Sequence, residues 1–349
     1  MSFIKTKSLE EFYFQGGKSY QYGGEVPVIL FPDPPALQLW VAGGYATNNL
    51  AYSYDGITWS GSTSGNSLVG GGSARVVGLA YSGDKWVAAT EGTNRLIYST
   101  DGINWSASTN GNSIFTTRAL SVGWNGSMWV AGGEGTNSLA YSYDGITWSA
   151  STNGNTLCGA GGSCAWDGNK WVVGAQGTNR FPYSYDGITW SASTNGNSIF
   201  TLIAFSVAYD GNKWVAAGTG TNTLAYSYDG ITWSASTNGN SFFNISFSCA
   251  WNGDKWVAGG QGTNRIAYST DGITWSGSTS GNTIFTQSVS MVGWNGDKWV
   301  AGEFIGTNSL GYSYDGINWF ASTKCNSIFN IQARAVASQP APNLYPPRY

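Results

Sequence analysis

A seven-residue motif, S-[YT]-D-G-I-[TN]-W, recurs seven times in this chain, with its aspartates at Asp55, Asp101, Asp144, Asp186, Asp229, Asp271 and Asp315. The gaps between them are 46, 43, 42, 43, 42 and 44 residues. A period of about 40–50 residues with strand-like content marks a propeller or related array, in which each unit buries its faces against its neighbours. The repeats run from about Leu39 to Ser338 and leave no room for a second globular domain among the 349 residues.

Each repeat divides into four short strand candidates rich in aromatic and β-branched residues. In the third repeat they are Ser121-Val122-Gly123-Trp124, Trp129-Val130-Ala131, Leu139-Ala140-Tyr141-Ser142 and Ile146-Thr147-Trp148-Ser149. Asn-Gly punctuates strands one and two, and Asp-Gly punctuates strands three and four. Both dipeptides tolerate positive φ and favour tight hairpins. The expected fold is therefore all-β, a seven-bladed β-propeller with four antiparallel strands per blade.

All 18 tryptophans fall at three repeat positions: seven open strand two, seven follow the Asp-Gly turn and four end strand one. Indoles at fixed positions predict packing between blades. Cys164 and Cys249 share one repeat position, in Ser-Cys-Ala-Trp, and read as small core residues, while a Cys158–Cys164 disulfide is left open. The array opens at Leu39-Trp40-Val41, which is a strand two without a strand one. It ends at Arg334-Ala335-Val336-Ala337-Ser338, a strand one without a strand two. The C-terminal strand is thus expected to complete the first blade and remove an exposed seam. Residues 1–38 form an N-terminal arm and 339–349 a Pro-rich tail, flanking the propeller at 39–338.

The Ser-x-Asp…Trp motif resembles the Asp-box of BNR-repeat propellers, a group that includes the sialidases and many non-catalytic proteins. Ser142-Tyr143-Asp144-Gly145-Ile146-Thr147-Trp148 is one residue shorter between Asp and Trp than the usual box. The resemblance covers all seven repeats. It implies that the seven aspartates are structural, capping the turn backbone away from any active site. Repeats this nearly identical also look like those of large viruses of protists and of phage-associated proteins.

Loops sort onto two faces because successive strands reverse direction. One face carries the uniform Asn-Gly and Asp-Gly turns. The other carries the more varied loop between strands two and three, which is where binding residues tend to sit. There Arg95, Arg180 and Arg265 occupy one repeat position on alternate blades, and Glu91, Glu134, Gln176 and Gln261 occupy another. The arginines are candidate anchors for an anionic or hydroxyl-rich ligand such as a glycan. Glu91 and Glu134, on adjacent blades, are a candidate carboxylate pair of the glycosidase kind.

Chemistry is otherwise sparse. The chain has no histidine, which removes Ser-His-Asp and Cys-His catalysis and most zinc sites. No calcium loop and no phosphate loop occurs. A net charge of −3 lacks the basic footprint of a nucleic-acid binder. No stretch reaches the roughly 18 apolar residues of a membrane span, and the N-terminus lacks the apolar core of an ordinary signal peptide. The resemblance implies that a sialidase would draw unlike residues from unlike blades, whereas these repeats are nearly identical. The expectation is a non-catalytic recognition or structural propeller, without metal or cofactor. It would be part of a surface assembly such as a virion or phage particle, with its N-terminal arm contacting other subunits. A free multivalent lectin is the second expectation and a sialidase-like glycosidase the third.

Overall fold

The computed structural model describes residues 38–339, apart from residues 46, 307, 323 and 324 and the side chains of residues 325 and 326. The expected arms, except for Gln38 and Gln339, lie outside the described residues. Within them the chain is all-β and builds the same four-stranded antiparallel sheet repeatedly. In the third repeat the strands are Arg118–Trp124, Trp129–Glu134, Leu139–Ser142 and Ser149–Ala150, paired in that order.

Turn chemistry sets these strands. Between the first two, the Asn125 side-chain oxygen accepts from the amides of Ser127 and Met128, while Gly126 takes a φ of 101°. Between the third and fourth, Asp144 Oδ1 accepts from the amides of Ile146 and Thr147. Those two amides are therefore lost to the sheet ladder. This corrects the fourth strand expected at Ile146–Ser149: residues 146–148 belong to the turn, and pairing begins only at Ser149, opposite Tyr141. The loop that follows holds a one-turn helix, Gly154–Leu157, which periodicity in a tract of Ser, Thr, Asn and Gly does not signal.

The glycine of each Asp turn meets two demands. Gly145 has φ 72°, and a Cβ there would lie 3.1 Å from Nε1 of Trp129 in the same sheet and 3.0 Å from Val87 of the preceding one. Only a residue without a side chain lets the turn close onto that indole. The turn is also gripped from the preceding sheet. Lys85 Nζ donates to the carbonyl of Asp144 at 2.6 Å, and Lys170 and Lys213 do the same to Asp229 and Asp271.

Between neighbouring sheets lie the buried clusters. One joins Val87, Leu96 and Phe115 to Trp129 and Trp148. The strand-two and post-turn tryptophans are all at most 5% exposed. Burying each removes about 150–250 Å² from water, several kcal/mol at roughly 25 cal/mol per Å² as an upper bound. Trp124, Trp166, Trp251 and Trp294 are only half-buried and tilt onto the strand-two indole of their own hairpin at 4.9–5.4 Å. Cys249 is buried as expected; Cys164 is half-buried, and both it and Cys158 are free thiols. Burial pushes the Cys158 and Cys249 thiols up to about 12, so neither is a nucleophile at neutral pH.

The last strand, Gln332–Ser338, pairs antiparallel with Trp40–Tyr45, setting Val336 against Ala42. Contacts that join consecutive repeats recur there. Lys298 Nζ donates to the carbonyl of Asp55 at 2.9 Å, and Asn48 Nδ2 to the carbonyl of Ile328 at 3.2 Å, as Asn137 does to Ile114. A buried cluster joins Trp40, Ala42 and Trp59 to Met291, Val300 and Leu310.

Gly145→Ala is expected to cost about 1–3 kcal/mol from backbone conformation alone, and more from the indole contact. Chemical denaturation checks this, with Gly126→Ala as the control. That residue also has positive φ but meets nothing within 4 Å, so its loss should be smaller.

Candidate binding face and central cavity

All seven motif aspartates hold the same turn. Ser142 Oγ donates to Asp144 Oδ1 at 2.9 Å and accepts from the amides of Asp144 and Gly145. In Asp101 and Asp315 the second carboxylate oxygen also accepts from the side-chain amides of Asn104 and Asn318. Partial burial would raise these two carboxyls. The amides of the turn, the asparagine side chain and the serine outweigh it and hold both at about 2. Every lone pair in use here serves the turn.

The three related arginines spend terminal nitrogens on backbone carbonyls, while Nε of each is buried without a hydrogen-bond partner among the described residues. Arg180 donates to the carbonyls of Gly177 and of Thr201 in the next loop, the latter at 2.8 Å. Arg265 repeats this on Gly262 and Thr286, and Arg95 reaches Thr116. They tie the strand-two-to-three loop to the following repeat. The loop asparagines are committed too. Asn153 exchanges two hydrogen bonds of 2.8 Å with the backbone of Trp190, and Asn155 bonds to the backbone of Ser138 and Thr136.

Glu91 and Glu134 do come together, but through a cation. Arg118 donates Nε to Glu134 at 2.6 Å and its terminal nitrogen to Glu91 at 3.3 Å, and Arg75 binds the other oxygen of Glu91. A chain Arg75–Glu91–Arg118–Glu134 thus runs across two repeats. Neither Arg75 nor Arg118 stands at the loop position that sequence comparison singled out. Arg118 opens an inner strand, directly opposite Glu134 in register, and Arg75 immediately precedes the inner strand Val76–Tyr81.

The inner strands carry a second feature. Each one slips register by one residue, leaving a bulged position: Val77, Leu120, Gly162, Phe205, Phe247, Ser290 and Arg334. A bulge re-aims its side chain and sharpens the local twist. All seven face one central space, made of two cavities of about 150 and 230 Å³ that share Arg334, Phe205 and Gly162. Glu91 and Gln176 reach the smaller cavity, while Gln261 is exposed at the rim. The wall is uneven: Phe205 and Phe247 pack at 5.3 Å on one side, and on another Arg334 lies over the ring of Phe304 at 4.7 Å. The signal in the sequence was the variability of this position, seven residues of six kinds.

No family model and no curated protein matches the chain. Solved structures do resemble it. The structure of YCF48 bound to D1 peptide has a TM-score of 0.57 at 14% identity, covering 80% of this chain and 94% of that one. The computationally designed Ika8 protein gives 0.51 at 14% identity, covering 78% and 83%. The nidogen/laminin complex gives 0.50 at 9% identity, covering 87% and 98%. YCF48 and nidogen are β-propellers. At these identities the likeness is one of fold, and this chain shares the propeller fold.

The turn carboxylates carry a pH signature. Their folded values lie below the ordinary 3.8, so the stability they contribute is complete above about pH 4 and is lost as pH falls toward 2. Asp101→Asn should lower neutral-pH stability by about 1 kcal/mol, through weaker acceptance from the turn amides. It should also flatten the loss between pH 4 and 2. Denaturant melts across that range check both.

Proposed function

We propose that the chain is a closed seven-bladed propeller of shortened Asp-box type. In this reading it is a non-catalytic recognition and structural module, one component of a larger surface assembly such as a virion or phage particle. Closure is supported by the last strand's pairing with Trp40–Tyr45 and by the Lys298–Asp55 and Asn48–Ile328 contacts, which repeat those between consecutive sheets.

The observation that carries the assembly reading is a rim of tyrosines on the Asp turns. Tyr54, Tyr143, Tyr185, Tyr228 and Tyr314 are 47–67% exposed. Each is braced edge-on by the tyrosine two residues before it, with centroids 5.9–6.1 Å apart. Lys170, Lys213 and Lys298 sit over three of them at 5.2–5.8 Å. Tyrosine is enriched in protein interfaces, and rings already held in place lose little freedom on docking. The aromatic, proline-bearing N-terminal arm supplies a second contact to neighbouring subunits. YCF48 with D1 peptide and nidogen with laminin are propellers seen with polypeptide partners.

The non-catalytic reading is supported by the Glu91 and Glu134 carboxylates, each neutralised by an arginine. Retaining and inverting glycosidases need one carboxyl free to protonate and one free to attack or activate water. The lectin reading has less support, since the arginines and loop asparagines that would anchor a sugar bond to backbone instead.

Replacing the five rim tyrosines with serine is expected to abolish co-sedimentation with the native particle or partner fraction. The melting temperature should stay nearly unchanged, because exposed substitutions cost little. Association that survives the five changes contradicts the reading. Turnover of a fluorogenic glycoside that is lost in Glu134→Gln would restore the enzyme.

A further inference from the structure

The central space is lined by a position at which the repeats differ in chemistry. Arg334 enters it from the last strand at the bulged position, where its neighbours carry aliphatic, aromatic or small residues. Its guanidinium carbon lies over the ring of Phe304 at 4.7 Å, and Nε donates to Gln332 Oε1 at 2.6 Å. Among the described residues that is its one hydrogen bond, and no carboxylate pairs with it. Glu91 lines the same cavity but is bound by Arg75 and Arg118, and Arg118 also binds Glu134, so this chain of three guanidiniums, counting Arg334, has two carboxylates. One positive charge is left uncompensated. Burial, then the charge of Arg75, lowers Arg334 to about 10, with Glu91 offsetting only part of this, and the group remains charged at neutral pH.

The rest of the wall is mixed: Ser121, Ser163, Ser206, Ser248 and Ser290 line it beside the apolar side chains, and Glu91 and Gln176 reach its smaller part. Phe205 and Phe247 come from the fifth and sixth repeats, Leu120 and Val77 from the third and second. Gly162 stands where the third repeat has Leu120, and a Cβ there would meet the backbone oxygens of Gly174 and Ala204 at 3.3 and 3.5 Å. A half-buried arginine with two free terminal nitrogens in a fixed fork, facing aromatic rings across a small cavity, selects for charge and apolar bulk together.

We infer that this cavity binds a carboxylate borne on an apolar group, with Arg334 gripping both oxygens and Phe205 and Phe247 packing the apolar body. The carboxylate is either that of a free small acid or the C-terminus of a peptide ending in an apolar residue. The site adds a ligand to the recognition module and does not depend on the tyrosine rim.

Calorimetry on the full chain tests it with 3-phenylpropanoate and with 3-phenylpropanamide. The acid should bind, and the amide at least about tenfold more weakly, since it leaves the guanidinium without its anion. Arg334→Gln should weaken the acid by a similar factor. Phe205→Ala leaves Arg334 in place, removes the ring that packs the apolar body, and should do the same. Near-ultraviolet circular dichroism of both variants reports that the fold is kept. The Arg95→Gln, Arg180→Gln and Arg265→Gln triple variant should bind as the parent does. Gly-Ser-Gly-Phe with a free C-terminus, compared with its amidated form, separates the sources: tighter binding than the small acid marks a chain end, weaker binding a free acid. Absence of heat from every acid, equal binding of acid and amide, or full binding by folded Arg334→Gln overturns the inference.

Discussion

The contact on which the rest of this structure depends is that between the Asp-turn glycine and the strand-two indole. The serine and aspartate of each motif spend their hydrogen bonds on fixing the turn. That fixes the glycine at positive φ, and the glycine in turn admits the tryptophan ring of its own sheet and the valine of the preceding one. One residue therefore couples a local turn to the packing between sheets. The lysine that reaches across to the Asp carbonyl clamps the same point from the outside. The glycine–indole contact recurs at all seven turns and the lysine clamp at four of them, so the same local assembly is used from sheet to sheet.

Uniformity in the frame leaves function to the positions that the frame does not constrain. Two such sets exist. The residue before each motif aspartate is tyrosine or threonine, faces solvent, and makes the aromatic rim. The bulged residue of each inner strand faces the central space and takes valine, leucine, glycine, phenylalanine, serine or arginine. The first set is nearly alike from repeat to repeat and suits a broad contact. The second is unlike from repeat to repeat and suits one asymmetric ligand. The varied loops, by contrast, spend their arginines and asparagines on holding neighbouring repeats together.

Much of this was legible in the residues. The motif spacing, the tryptophan positions and the split first sheet each follow from a repeat that must bury both faces, and the structure places Gln332–Ser338 against Trp40–Tyr45 as the sequence suggests. Other features were not. The fourth strand begins at Ser149 rather than Ile146, because the aspartate side chain takes the amides that a strand would use. Bulges leave no mark in hydrophobic alternation, so the central position of Phe205 and Arg334 was hidden. Arg118 stands 27 residues from Glu91 and on a different repeat, and only the packing of sheets brings the two together. The charge repeat that looks like a binding pattern in sequence has its arginines donating to backbone carbonyls of the following repeat, a contact that sequence spacing does not signal.

Hydrogen exchange read by mass spectrometry tests the central claim, that the last strand is an integral part of the first sheet. If it is, peptides covering 332–338 and 40–45 are protected to the same degree as the strand-two peptides of the other repeats and open with them. Rapid exchange of 332–338, while 129–134 and 214–219 stay protected, would mean that the array does not close on itself and would contradict the account.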